Sequence, residues 1–215
     1  MRKHIVGPFL CILITFVFLW SPALGAVSPK QAQKVWDRLS TVSGLGGNKT
    51  LVVEDKEEPN AWVSFRGSDY SIHVTKGLLN IMDQDDEIAG IFAHEIGHIK
   101  LGHYRETVSR NLIWYLLYRA FGKDDKTAST ILRLGLALAE SGFSREMEVE
   151  ADDFGVQLAH KAGYNPWGLY NALLRMKEAG YSTTPNGFNS HPPTERRLEH
   201  IRNTTISISG GKGAS

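Results

Sequence analysis

Apolar positions along this 215-residue chain follow three different rhythms. Near the start, a run from Phe9 to Trp20 follows the basic residues Arg2, Lys3 and His4. Between Thr50 and Gly77 the segments TLVVED, NAWVSFR and YSIHVTKG are rich in β-branched and aromatic residues, and RGSDY between the last two is a turn signal. They predict three short strands in a small antiparallel sheet. From Leu78 onward apolar residues recur every three or four positions, the period of a helix.

The helical pattern divides at its punctuation. A first helix is expected around Pro29 to Leu39, before the loop TVSGLGGNK. The acidic turn DQDDE followed by Ile88, Ile91, Phe92, Ile96 and Ile99 predicts a buried central helix. NLIWYLLYRAF and TASTILRLGLALAES come next and suggest a buried hairpin or lid, since Arg119 and Arg133 interrupt them before a membrane-spanning length is reached. Trp114, Tyr115 and Tyr118 there suit peripheral contact with a membrane surface. SREMEVEADDFGVQLAHKAG predicts a further helix, as does NPWGLYNALLRMKEAG, with Asn165 as cap and Pro166 in the first turn. TERRLEHIRN closes the pattern. The expected fold class is α+β, mostly α-helical, with the small antiparallel sheet.

Composition narrows this to one domain, because 42% apolar content over this length supports a single core. The basic start, the apolar run and the small residues Ala23 and Gly25 read as a secretory signal peptide over residues 1–25, cleaved before Ala26. An uncleaved membrane anchor is the alternative reading. Residues 26–205 then form the domain, and the Gly- and Ser-rich end from 206 to 215 a flexible tail. Cys11 is the chain's one cysteine and lies in the leader, so disulfides and thiolate ligands are excluded from the domain. The full chain carries a net charge of +1, and −1 remains without Arg2 and Lys3, which gives no electrostatic footprint for nucleic acid.

The chemistry concentrates in HEIGH at residues 94–98. Two histidines four apart lie about 40° from one another on a helix face, so both can reach one metal ion while Glu95 stands beside them. The composition would yield such a string by chance about 0.02 times per chain. In this arrangement His94 and His98 are metal ligands, zinc activates a water, and Glu95 is the general base. A third histidine ligand in the metzincin register would fall at Tyr104, with a glycine at Leu101. Gly102 and His103 are each one residue out, so His103 reads as a surface or supporting histidine. A carboxylate from a later helix is the other solution. On SREMEVEADDFGVQLA, Glu148 and Asp152 share the flank that carries the small residues Gly155 and Ala159, where another helix can come close. Glu148 is therefore the chosen ligand, with Asp152 orienting a ligating histidine, and Glu146, Glu150 and Asp153 form a solvated face.

HEIGH followed by SREMEVEAD at 144–152 resembles the paired signature of the HtpX and CAAX-prenyl-protease type zinc peptidases, gluzincins of metallopeptidase family forty-eight. The likeness spans roughly residues 50 to 202. It implies a gluzincin-type domain with HExxH on the central helix and one Zn2+ per chain held by His94, His98 and Glu148. It also places His191 and Arg197 of HPPTERR near the metal, as stabilisers of the transition-state oxyanion, or with His191 closing the zinc in a resting state. In gluzincins an edge strand binds the substrate backbone, a role that would fall to Asn60, Ala61 and Trp62. The resemblance further implies an exported, periplasmic or cell-envelope endopeptidase whose substrates are unfolded or misassembled envelope polypeptides. Two alternatives use the same residues: a zinc-stabilised chaperone-like or binding protein without turnover, and a latent protease anchored by an uncleaved N-terminus.

Overall fold

The computed structural model describes residues 26–66, 69–107, 109, 116, 142–181, 191 and 193–210. The expected leader, the end of the tail and, apart from residue 116, the hairpin between residues 111 and 140, with Trp114, Tyr115 and Tyr118, lie outside the described residues. Helix α1 (Pro29–Val42) starts at a capping box in which Ser28 and Gln31 satisfy one another's backbone groups, with Pro29 in the first turn. Its Ala32, Val35, Trp36 and Leu39 are buried on one face. Trp36 meets Phe92 edge-on, with ring centroids 6.1 Å apart.

Strands β1 (Lys49–Glu54), β2 (Ala61–Arg66) and β3 (Asp69–Thr75) form a sheet in the order β1-β3-β2. β2 and β3 are an antiparallel hairpin, but β1 runs parallel to β3, with Leu51 opposite Ile72. The sheet is therefore mixed, not antiparallel throughout. The six residues 55–60 are too long for a tight turn and cross the end of β3, carrying the chain over two strand spacings of about 4.8 Å each. The crossing passes over Gly77, whose N–H donates to Lys56 O, and where a Cβ would lie 1.9 Å from Glu57 O. Only glycine fits there.

Thr75 caps helix α2 (Lys76–Ile81), and helix α3 (Asp85–Lys100) follows with Asp85, Asp86 and Glu87 in its first turn, complementing the helix dipole. Every residue of α3 from Glu87 to His98 is buried. It packs against α1, β2 and two later helices, α4 (Arg145–Lys161) and α5 (Gly168–Glu178). Buried Glu87 accepts from both Arg175 Nε and Nη2, at 3.1 and 2.9 Å, and so ties α5 to the start of α3. Asn165 does not cap α5 as expected: its side chain accepts from Trp167 N and its carbonyl from Gly168 N, making a turn that delays the helix to Gly168. Helix α6 (Glu195–Ile208) also runs past the expected tail boundary at 206. Ile208 still packs on the core, and the left-handed Gly210 (φ 64°) follows.

Candidate metal centre

His94, Glu95 and His98 lie in α3, Glu148 and Asp152 in α4, His191 just before α6, and Arg197 in the first turn of α6. All seven are buried. The approach of α3 to α4 depends on Gly155, where a Cβ would stand 2.9 Å from His94 N. The small-residue flank read from the sequence is thus the one that meets α3, and it brings Glu148 and Asp152 with it. Ser144 caps α4 by accepting from Met147 N, which sets Glu148 in the first turn, where the helix dipole favours a carboxylate.

Four side chains converge. His98 Nε2 is 3.0 Å from His94 Nε2, His94 Nε2 is 3.2 Å from His191 Nδ1, and Glu148 Oε1 is 2.7 Å from His191 Nδ1 and 3.4 Å from His98 Nε2. Ligand atoms from all four lie within 4.8 Å of one another. Metal–ligand bonds of 2.0–2.1 Å in a tetrahedron give edges of about 3.3 Å, the scale of these separations. Glu148 Oε2 and Glu95 Oε1 are buried and make no hydrogen bond, with Arg197 Nη1 at 3.2 Å from the first and His191 Nε2 at 3.5 Å from the second, so a cation in the cluster would add to a compensation that is incomplete. Three imidazoles and one carboxylate form a donor set suited to zinc.

The electrostatics follow from burial and from charges set against it. Burial alone would raise the pKa of Glu148, but His191, His98 and Arg197 outweigh it and hold this carboxyl well below the usual range. Burial pushes His98 down to about 2, against the opposing pull of Glu148. For His191, burial works downward, but the carboxylates of Glu148 and Glu95 prevail and raise it.

Asp152 Oδ1 lies 2.8 Å from His94 Nδ1, as expected for a residue that orients a ligating histidine. Arg197 does not stand free for an oxyanion. Its Nε and Nη2 each donate to Asp152 at 2.7 Å, and its Nη1 donates to His191 O at 2.7 Å and faces Glu148 Oε2 at 3.2 Å. With its fork committed in this way, Arg197 is a positioning residue rather than an oxyanion donor.

The expected substrate strand also needs correction. β2 has no strand on its outer side among the described residues. Asn60, however, donates its N–H to Thr75 Oγ1 and accepts from Thr75 N through its carbonyl, so its backbone is taken. By the alternation of an antiparallel pair, Trp62 then turns its backbone toward β3, while Ala61 and Val63 turn theirs outward. The Trp62 ring lies on the face away from the core, stacked on His73 at 5.0 Å and 6°.

Two neighbours, Tyr104 and Phe143, were not assigned a part in the site from sequence, and His103 was read as a surface or supporting histidine. Gly102, at φ 78°, turns the chain after α3 and brings His103 and Tyr104 back against it. Buried His103 puts its Nδ1 2.9 Å from His98 Nδ1, so it is not a surface residue. The Tyr104 hydroxyl donates to Glu95 Oε2 at 3.1 Å and receives a hydrogen bond from the Val63 backbone. Burial and the Glu95 carboxylate push its pKa well above the usual value, which keeps it a donor. Phe143 stacks on His98 with centroids 3.8 Å apart. The supposedly solvated acids also have work: Glu150 contacts His103 Nε2 at 3.1 Å, and Asp153 contacts His200 and accepts from Thr204.

In comparison with known proteins, residues 28–205 match the family described as Peptidase family M48. The chain belongs to peptidase family M48. Among its M48 relatives, the metalloprotease YcaL of Escherichia coli is 33% identical over 188 residues, covering 82% of this chain and 72% of YcaL. The metalloprotease LoiP of Escherichia coli is 28% identical over 176 residues, covering 77% of this chain and 68% of LoiP. An HtpX protease homologue from Desulfatibacillum aliphaticivorans is 28% identical over 224 residues, covering 81% of this chain and 70% of the relative. This M48 chain is accordingly a metallopeptidase.

Proposed function

We propose that this M48 metallopeptidase is a zinc endopeptidase, with His94, His98 and Glu148 as the protein ligands of one Zn2+ and Glu95 as its general base. The observation that carries the reading is the buried convergence of two α3 imidazoles on a carboxylate from α4, with Glu95 beside them. Zinc in such a site supplies an activated water at neutral pH and polarises the scissile carbonyl. Glu95 takes the proton of the attacking water and passes it to the leaving amine. Tyr104, donating to Glu95 Oε2, holds that carboxylate in place. Asp152, clamped by Arg197, keeps His94 in the tautomer that leaves Nε2 free. The outward backbone of Ala61, with the outward carbonyl of Val63, is the edge of β2 on which an extended peptide would add as a strand, the Val63 N–H being given to Tyr104.

The position of His191 supports a resting state. Its Nδ1 occupies the fourth corner of the cluster, where the attacking water has to enter, and turnover requires it to move aside. His191→Ala should keep zinc and raise proteolysis; a fall in rate with zinc retained would instead assign His191 to oxyanion stabilisation.

Glu95→Gln tests the enzyme reading. It should retain zinc and fold while losing hydrolysis of an unfolded protein such as casein by about 10²–10⁴-fold. Undiminished hydrolysis in the variant would remove Glu95 from the general-base role, whereas zinc binding with no hydrolysis even by wild type would leave the chaperone-like alternative standing. The basic-then-apolar N-terminal pattern supports export to the cell envelope, with unfolded or misassembled polypeptides there as substrates. A mature start at Ala26 by mass spectrometry is the expected result, and a start at Met1 would favour the anchored form.

A further inference from the structure

Behind the metal cluster, a second line of polar groups runs outward from His98. His98 is fully buried, His103 is buried with 3% exposure, and the Glu150 side chain is 63% exposed, so the line starts at the cluster and ends at solvent. Its links are His98 Nδ1 to His103 Nδ1 at 2.9 Å and His103 Nε2 to Glu150 Oε2 at 3.1 Å.

The acceptor at the outer end sets the direction of every link. An ionised carboxylate only accepts, so His103 carries its hydrogen on Nε2 and donates it to Glu150. A neutral imidazole with its hydrogen on Nε2 has a bare Nδ1, which accepts. The hydrogen between the two rings therefore belongs to His98 Nδ1, and His98 Nε2 is left bare, facing His94 Nε2 and Glu148. Glu148 Oε1, 3.4 Å from His98 Nε2, draws the same hydrogen toward Nε2 in the metal-free chain, but the His103 contact is the shorter, at 2.9 Å.

We infer that His103 and Glu150 are positioning residues that lock His98 in the Nδ1–H tautomer, with Nε2 presented to a metal. His94 is served in the same way from the other side by Asp152, which Arg197 holds. The two α3 histidines thus have separate carboxylate anchors, and both anchors come from α4. Glu148, Glu150 and Asp152 sit at alternate positions of that helix; one is offered to the metal and the other two to its histidines. Phe143, stacked on the His98 ring, leaves the ring edges as the sites for polar contact. For its consequence the inference rests on the zinc reading above, but the tautomer can be read in the metal-free chain, where Glu148 is the competitor for the His98 hydrogen.

The test uses the full-length protein and zinc alone. Competition against a coloured chelator gives the zinc affinity of wild type, Glu150→Gln, His103→Phe and Glu146→Gln. Glu146 is exposed and lies one turn from Glu150, so its variant removes the same charge without touching His103. Loss of an outer partner of a ligating histidine weakens metal binding about 10- to 100-fold. The relay requires about 10-fold for Glu150→Gln, more for His103→Phe, and less than about twofold for Glu146→Gln. Equal affinities in wild type and Glu150→Gln, or equal losses in Glu150→Gln and Glu146→Gln, overturn it. ¹⁵N spectra of the metal-free wild type read the tautomers directly, which keeps the two ideas apart. Wild type that binds no zinc but shows His98 as Nδ1–H and His103 as Nε2–H would sink the zinc reading and support the relay. His103 observed as an imidazolium would overturn the relay whatever the zinc affinity.

Discussion

Glu148, Glu150 and Asp152 lie within little more than one turn of a single helix, and what each can do is decided by the residue facing it. Glu148 meets three imidazoles, so Glu148→Gln should abolish stoichiometric zinc binding, whereas Glu146→Gln should leave it intact; equal loss in both, measured by metal analysis, would remove the reason for choosing Glu148. Asp152 is fully buried against Arg197 and His94. Arg197→Met leaves that carboxylate without its cation, and the expected cost is about 3–5 kcal/mol in urea unfolding of the metal-free protein. A loss under 1 kcal/mol would mean that the pair does not hold the cluster together. Much at this scale was legible in the sequence: spacing placed His94, Glu95 and His98 on one face, and small residues marked the flank of Glu148 and Asp152. His103 could be read only as a surface or supporting histidine, because its contact with His98 depends on a left-handed turn at Gly102 that no periodicity records. Arg197 was placed near the metal by resemblance, but only the geometry shows its donors committed to Asp152, His191 and Glu148.

At the scale of elements, the site is a crossing of two helices, α3 and α4, that needs Gly155. Gly155→Val would place a branched side chain where a single Cβ already stands 2.9 Å from His94 N, and the helices must part. We expect a loss of about 1–3 kcal/mol in stability, together with weaker zinc binding, whereas Gly46→Ala, in open space, should spare the metal. Unchanged zinc affinity in Gly155→Val would mean that the crossing does not set ligand spacing. Helix positions were readable because their apolar period persists over many residues. Strand order was not: a six-residue connection permits either an antiparallel neighbour or a crossing to the far edge, and the choice is made by the backbone passage over Gly77, which is a tertiary contact. The start of α5 shifted for a similar local reason, since Asn165 spends its side chain on a turn.

For the whole molecule, the ligands come from α3, α4 and the segment before α6, so the ion would join parts of the chain that are distant in sequence. Zinc should then act on global stability and not only on activity. At free zinc 100 times the Kd, the gain is about 2.7 kcal/mol, seen as a melting temperature that rises with zinc concentration. No helix among the described residues is long and apolar enough to cross a membrane. The most direct test combines metal analysis with proteolysis on purified wild type and Glu148→Gln, before and after chelation and with zinc restored. About one zinc per wild-type chain, little in the variant, and casein hydrolysis that disappears with the metal and returns with zinc are expected. Hydrolysis that persists in metal-free protein, or full zinc occupancy in Glu148→Gln, would contradict the proposed centre.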